Sequence, residues 1–261
     1  MSQAKLHSTR FVSFAALALW ATSATAHQVW VETGAIGVAG QEQLVHVCWG
    51  HTGDKGTGES LEKQQGRLSA WVMRPDGQAG RLELAIGSDS FTAKFTPSVP
   101  GSYMIGAERQ SGILTREFHG IPANTRIVMY GKSFTHVEGS NNGLSTPLGM
   151  DLEVVPVSDP NRLRPGDIAT AKVLFKGKPI GGKDVVVSLN TLGTEPFPED
   201  PTIQGLVWSV ESNAEPQTGE VSFPLIVCGR HQFYIRYMDE TPGRYEGDRE
   251  VTTDYSHLRK G

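Results

Sequence analysis

The chain has 261 residues, with 24 Lys and Arg against 28 Asp and Glu and a formal net charge of −4 at pH 7. The length accommodates two small domains. The acidic balance argues against a nucleic-acid-binding protein, because that affinity comes largely from Lys and Arg on phosphates.

The first 26 residues have the pattern of a secretory signal peptide. Two basic residues precede the apolar stretch FVSFAALALW, and the small-residue triplet at 24–26 is a cleavage site. The apolar run is shorter than the roughly 20 residues that a spanning helix needs. We therefore expect export to the periplasm and a mature protein that begins at His27. Its 22 basic and 28 acidic side chains give a net charge of −6 with His neutral.

Short alternating apolar runs, separated by Gly, Pro, Asn and Asp, predict β-strands along most of the chain. In the first half the predicted strands are HQVWVET, EQLVHVCW, RLSAWVMR, GRLELAI, SFTAKFT and GSYMIGAER. The stretch SLEKQQ is predicted to form a short helical turn. The stretch TRIVMYGKSFTHVE fits either a strand or a helix.

The segment GSNNGLSTPLG at 139–149 is typical of a linker or domain boundary. It predicts an N-terminal β-rich domain over 27–148 and a C-terminal domain over 149–261. The strands predicted after it are MDLEVVPVS, IATAKVLFK, KDVVVSLNT, GEVSFPLIV and HQFYIRYM. The predicted fold class is all-β, with two β-sandwich domains, the second immunoglobulin-like or transthyretin-like. The turn-rich stretch 191–208 is predicted to be a long loop.

The first two predicted strands flank a loop with three glycines and are expected to form an antiparallel hairpin. Pairing Val29 with Val47 and Val31 with Val45 places four valines on one face. Because an apolar face is stabilised by burial in a core, we favour a pairing that keeps the four valines on one side of the hairpin.

The same register places His27 opposite Trp49, with His51 just beyond on the same face. After cleavage, His27 would offer an amine and a ring nitrogen to one metal ion, and His51 a second imidazole. His119 and His136, at predicted strand ends, are candidates to complete the ligand shell.

The other face of the hairpin carries His46 and Cys48, with Trp30 opposite His46. His46 and Cys48 point the same way and form a second, less favoured ligand set. With Cys228 as the other cysteine, three alternatives stay open: a disulfide, two buried free thiols, or Cys48 as a metal ligand.

Several stretches carry a resemblance to a known family: AHQVWVE after the signal, WGH at 49–51, LEVVPVSDPNRLRPGDIATAKVLFKGKPIGGKDVVV at 152–187, TGEVSFPLIVCGRHQFYIRY at 218–237, and DYSHL. Together they resemble the exported domain-of-unknown-function family labelled NikM-like, the periplasmic component of a nickel/cobalt uptake system. The resemblance implies two β-rich domains and metal handling at His27 and His51. Similar chains continue into a further apolar strand after DYSHL, which leaves a role for His257 open.

These features predict a periplasmic binding protein for a divalent transition metal that supports metal uptake with a membrane transporter component. The resemblance favours nickel or cobalt, and nitrogen ligands also suit copper or zinc. The alternative is an exported β-sandwich interaction module that binds protein or carbohydrate through loops such as 191–208. We do not expect an enzyme, since no common hydrolase, zincin or P-loop motif is present. Copper redox chemistry at the terminal histidine is the enzymatic alternative.

Overall fold

Antiparallel β-strands make up almost all of the regular structure, which confirms the all-β prediction. The structure is a computed structural model that describes residues 27–51, 54–118, 121–193, 205–226, 229–240, 243–245, 249–251 and 253–260. In chain order the elements are β1 (Gln28–Thr33), β2 (Ile36–Gly37), β3 (Gln43–His51), β4 (Asp54–Lys55), α1 (Glu59–Glu62), β5 (Leu68–Met73), β6 (Ala79–Leu82), β7 (Ala85–Ile86), β8 (Phe91–Phe95), β9 (Gly101–Ile113), β10 (Thr125–Val137), β11 (Leu152–Pro156), β12 (Ile168–Phe175), β13 (Lys178–Pro179), β14 (Val186–Gly193), β15 (Gly205–Asn213), β16 (Glu220–Pro224), β17 (Arg230–Asp239), β18 (Gly243–Tyr245), β19 (Arg249–Val251) and β20 (Thr253–Lys260).

The first hairpin forms, but in a register two residues away from the predicted one. Val31 pairs with Val47, and Val29 pairs with Trp49 rather than with Val47. The predicted register was therefore wrong. A slip of two residues preserves the alternation of a strand, so Val29, Val31, Val45 and Val47 still share one fully buried face.

Strands from both halves of the chain lie in one nine-stranded sheet, in the order β15-β14-β17-β20-β10-β9-β5-β6, with β2 also paired to β10. The link between the halves is β20, which pairs parallel with β10 and antiparallel with β17. No strand is predicted from the sequence at these last residues. The two halves are joined by this backbone hydrogen bonding as well as by the connecting segment.

Two hydrophobic clusters fill the space between the sheets. The first lies between the five-stranded sheet of β1, β3, β4, β7 and β8 and the β5, β9 and β10 part of the long sheet. The second combines β11, β12 and β16 with β14 and β17, and it also takes in Leu144, Leu148 and Met150. The segment predicted to be a linker therefore contributes to this core, and it is not a solvated tether.

Other local predictions can be compared directly with the observed elements. The ambiguous stretch TRIVMYGKSFTHVE is strand β10, and the predicted helical turn contains most of α1. The predicted loop over 191–208 was too long, because β14 extends to Gly193 and β15 starts at Gly205, and the two strands pair. The rest of that stretch, 194–204, lies outside the described residues.

A buried ion pair lies where β10 and β11 pack together. Lys132 and Glu153 are 0% and 1% exposed, and the Lys132 ammonium donates a hydrogen bond to the Glu153 carboxylate. That carboxylate also accepts hydrogen bonds from the backbone N–H groups of Leu148 (2.7 Å) and Gly149 (3.1 Å). Burial lowers the pKa of Lys132, and the adjacent Glu153 charge opposes that shift. Each of the two charges therefore needs the other to offset the cost of its burial.

We expect Glu153→Gln to lower the free energy of unfolding by about 3–5 kcal/mol, because it leaves the Lys132 ammonium buried without a counter-charge. Adding Lys132→Met should recover part of that loss, because it removes the unpaired charge. The recovery is incomplete because glutamine has one acceptor oxygen, whereas the N–H groups of Leu148 and Gly149 donate to two different oxygens of Glu153. Urea unfolding at pH 7 measures both. A loss below about 1 kcal/mol in the single variant would contradict this burial, since that is the range of exposed pairs.

The position of β1 over the long sheet depends on a glycine. A Cβ placed on Gly131 of β10 would lie 2.9 Å from the Trp30 Cα and 3.1 Å from its carbonyl carbon. The first distance is shorter than real Cβ atoms show and the second is shorter than most of them show, so a methyl group here would force β1 away from β10.

Gly131→Ala should therefore lower the free energy of unfolding by about 1–3 kcal/mol through forced displacement of β1. Gly80→Ala is the matched control, because its Cβ would meet nothing closer than 3.9 Å. Thermal unfolding of the two variants compares them directly. Equal stability would show that the chain accommodates a methyl group at Gly131 without cost.

Candidate metal centre

His27 and His51 meet at the open end of the first hairpin. The strand register pairs Gln28 with Gly50. His27 and His51 are the next residues on the two strands, so they lie beyond that pair on the same face of the hairpin. Their ring centroids are 4.4 Å apart, at an interplanar angle of 40°. The Nδ1 atom of His51 is buried without a hydrogen-bond partner among the described residues. The pair therefore has a nitrogen atom that nothing in the described chain satisfies.

Trp49 lies under the histidine pair. The His27 ring stacks on it at a centroid distance of 4.9 Å and an angle of 8°. Trp49 also packs against a guanidinium, because Cζ of Arg109 lies 4.2 Å from its ring centroid. Trp49 is almost fully buried at the end of the first core. It therefore connects the histidines to a cation from the opposite sheet.

Arg109 enters the site from β9, where it continues the inward-facing alternation of Tyr103, Ile105 and Ala107. It is only 6% exposed. Its Nε donates to Oε1 of Gln64 at 2.7 Å, and its Nη1 donates to Ser111 Oγ.

The charge of Arg109 has no acidic partner among the residues that the structure describes. No carboxylate among the described residues forms an ion pair with it. Burial, and then the charge of Arg67, lowers its pKa to about 10, so the group stays protonated at neutral pH. Arg109 is not among the site residues predicted from the sequence. It could have been predicted from the alternation of the strand, because Arg109 is a charged residue at a position where the pattern expects a buried apolar one.

The electrostatics of the site favour a neutral imidazole. Partial burial, followed by the charges of His51 and Arg109, lowers the pKa of His27 below its usual value. A neutral imidazole is the form that coordinates a metal ion.

His136 has a different set of neighbours. Its Nδ1 lies 2.7 Å from Ser102 Oγ, and its Nε2 lies 3.7 Å from Asp159 Oδ1. Ser102 lies near the start of β9 and Arg109 lies seven residues further along it, a distance of about 23 Å in an extended strand. The structure thus brings together His27 and His51 but not His136. His119 lies outside the described residues.

The second predicted ligand set is less suited to a metal. Trp30 lies opposite Cys48, not opposite His46 as predicted. Cys48 is a fully buried free cysteine, and burial raises its pKa to about 12, which disfavours the thiolate that binds metals. The Nδ1 of His46 is 2.9 Å from Ser90 Oγ. Cys228 lies outside the described residues.

The family of the chain can be stated from a comparison with known proteins. A family model described as "Domain of unknown function (DUF4198)" matches residues 24–239. The chain belongs to this family. No curated protein matches it.

One solved structure similar to the chain is a DUF4785 family protein from Legionella pneumophila, with 12% identity over 79% of this chain and 50% of that one. The chain therefore spans about half the length of that protein. The TM-score between the two structures is 0.28.

In this DUF4198 member, the described residues contain no group of three or more His, Cys, Asp or Glu side chains that could hold a metal ion. His27 and His51 are two side chains and do not form such a group by themselves. His257 belongs to β20, where it pairs with Met129. Within the described part of the chain, no helix has the length and hydrophobicity needed to cross a membrane.

We expect Arg109→Gln to raise the pKa of His27 in the metal-free protein, because removing a nearby positive charge makes the imidazolium less unfavourable. An NMR titration of the histidine Cε1–H signals measures this pKa. Arg81→Gln, which removes an exposed guanidinium, is the control and should leave it unchanged. An unaltered His27 pKa in Arg109→Gln would contradict the proximity of the two groups.

Proposed function

We propose that this chain is an exported binding protein for a divalent transition metal, held at His27 and His51 after the signal peptide is removed. The observation that carries the proposal is the close pair of imidazoles, 4.4 Å between centroids, with a buried and unsatisfied nitrogen on His51. Localisation in the periplasm and a role in metal uptake belong to the same proposal.

The unsatisfied nitrogen of His51 supports a ligand at this position. A buried polar atom without a partner costs free energy, and most such atoms in folded proteins are paired. A metal ion bound by Nδ1 would remove that cost. His46 has a ring nitrogen within hydrogen-bond distance of a serine hydroxyl. His136 likewise has Nδ1 beside Ser102 Oγ, and its Nε2 is buried without a hydrogen-bond partner, but no second histidine ring among the described residues lies against it as His27 lies against His51.

The cleavage predicted before His27 would supply a third nitrogen. A terminal amine has a pKa of about 8 and an imidazole one of about 6.5, so both release their protons readily near neutral pH. An amine and an imidazole on one residue, with a second imidazole from His51, form an all-nitrogen ligand set. Such a set suits nickel, cobalt, copper or zinc better than magnesium or calcium.

The site is also held in place before any metal arrives. The β1–β3 hydrogen bonds set the backbone on both sides, and the stack on Trp49 orients the His27 ring. A site held by strands and packed aromatic rings loses less conformational entropy on binding than one formed by loops.

The nickel or cobalt assignment rests on the resemblance to the NikM-like family, whose label also implies a membrane transporter component as the receiving partner. The ligand chemistry alone would favour copper, because divalent affinities rise from cobalt through nickel to copper. A nickel or cobalt function would therefore need a geometric preference or control of metal supply. The interaction-module alternative depends on a loop that lies largely outside the described residues.

Titration of correctly processed protein with Ni²⁺, Co²⁺, Cu²⁺ and Zn²⁺ tests the proposal. We expect one ion per chain, and a loss of affinity of about tenfold or more in both His27→Ala and His51→Ala, since each removes a ligand. Binding should also weaken as the pH falls through the imidazole range, because protons compete for the same nitrogens.

Two controls separate the ligands from other effects. His46→Ala removes a histidine on the opposite face of the same hairpin and should bind metal as the wild type does. Protein with one alanine added before His27 keeps both rings but lacks the amine on His27, and it should bind more weakly. Equal affinity of the wild type and His27→Ala would contradict the proposal, as would N-terminal sequencing that finds a different first residue.

A further inference from the structure

We propose that Arg109 is an anion-binding group, and that the site takes its metal together with a small carboxylate ligand. This inference rests on the proposed function of His27 and His51. It concerns the chemical form of the cargo, a metal–carboxylate complex in place of a bare ion.

The first support is the buried and unbalanced charge of Arg109. The side chain is 6% exposed, yet its hydrogen bonds to described residues go to uncharged groups, on Gln64 and Ser111. Its second amino group, Nη2, makes no hydrogen bond to any described residue. A buried guanidinium without a counter-ion is costly, so the fold keeps an unfavourable charge that an anionic ligand would offset.

The second support is the number of ligands. His27 and His51 supply two imidazoles, and the terminal amine supplies a third nitrogen. Zinc takes four ligands in most protein sites, and nickel and copper prefer four or more. The described residues form no cluster that could supply the rest. A carboxylate oxygen of the cargo would complete this ligand set.

The third support is the sign of the local charge. A divalent ion beside protonated Arg109 would place three positive charges at the end of one hydrophobic core. Trp49 contacts both His27 and Arg109, so a metal on the histidine and the guanidinium would share a neighbourhood with little water. An anion that binds both would convert this repulsion into attraction.

A carboxylate suits both groups. Its oxygens are transition-metal ligands, and the planar fork of an arginine matches two carboxylate oxygens. His27 is exposed, so the site opens to solvent beside the histidine pair and a small chelate can reach it from that side.

Equilibrium dialysis with Ni²⁺ and radiolabelled citrate tests the proposal, with metal and citrate counted separately. Processed wild-type protein should retain both, in equal amounts, and should retain little citrate without Ni²⁺. Arg109→Gln should still bind Ni²⁺ in citrate-free buffer, but its affinity for citrate should fall about tenfold or more, the loss expected for a hydrogen bond between charged groups. Arg67→Gln, which removes an exposed positive charge near Arg109, should retain citrate as the wild type does.

The outcomes distinguish a failure of this inference from a failure of the proposed metal-binding function. If wild-type protein retains Ni²⁺ but no citrate, or retains citrate equally without metal, the inference is wrong and the metal-binding function stands. If it retains no Ni²⁺ with or without citrate, the proposed function itself fails. Should Arg109→Gln not fold, judged by circular dichroism, Arg109→Lys replaces it, and the wild-type stoichiometry alone still decides the question.

Discussion

The antiparallel pairing of β1 with β3 is the constraint on which the candidate site depends. It places Gln28 beside Gly50, and the residues beyond that pair, His27 and His51, are thereby brought into contact. The pairing is held by the buried valine face on one side of the hairpin and by the close crossing of Trp30 over Gly131. A displacement of β1 would therefore change the stability of the core and the spacing of the histidines together.

The opposite sheet completes the site by supplying a charge. Arg109 extends from β9 into the end of the first core, where its guanidinium packs on the Trp49 ring. Trp49 in turn stacks with the ring of His27. Keeping a cation in such a place is unfavourable for stability, since no described carboxylate pairs with it. The anionic ligand proposed above would offset this cost.

The two halves of the chain are coupled by three different kinds of contact. Backbone hydrogen bonds join β10 to β20, apolar side chains of the connecting segment enter the second core, and the Lys132–Glu153 pair ties β10 to β11. Because β10 also supports β1 at Gly131, the candidate site rests on a sheet that both halves build. Substitutions in the second half of the chain can therefore alter the position of the candidate site through β10, even where the substituted residue does not contact the site.

Local patterns predicted many of the strands, although not β15 or β20, and they predicted the buried face of the first hairpin. Alternation along β1 and β3 identified the valine face correctly, because a side chain's direction depends only on whether its position is odd or even. The same patterns predicted His27 and His51 as neighbours on that face. They could not choose between registers two residues apart, since both bury the same valines, and the prediction was wrong on this point.

What the sequence determined by itself was the all-β class, the inward face of each strand of the hairpin, and the presence of histidines at its open end. Only the tertiary structure decided which residues meet there. Arg109 lies 58 positions beyond His51 in the chain and reaches Trp49 because two sheets pack face to face. Packing between sheets joins residues without regard to their separation along the chain, so spacing in the sequence carries no record of it.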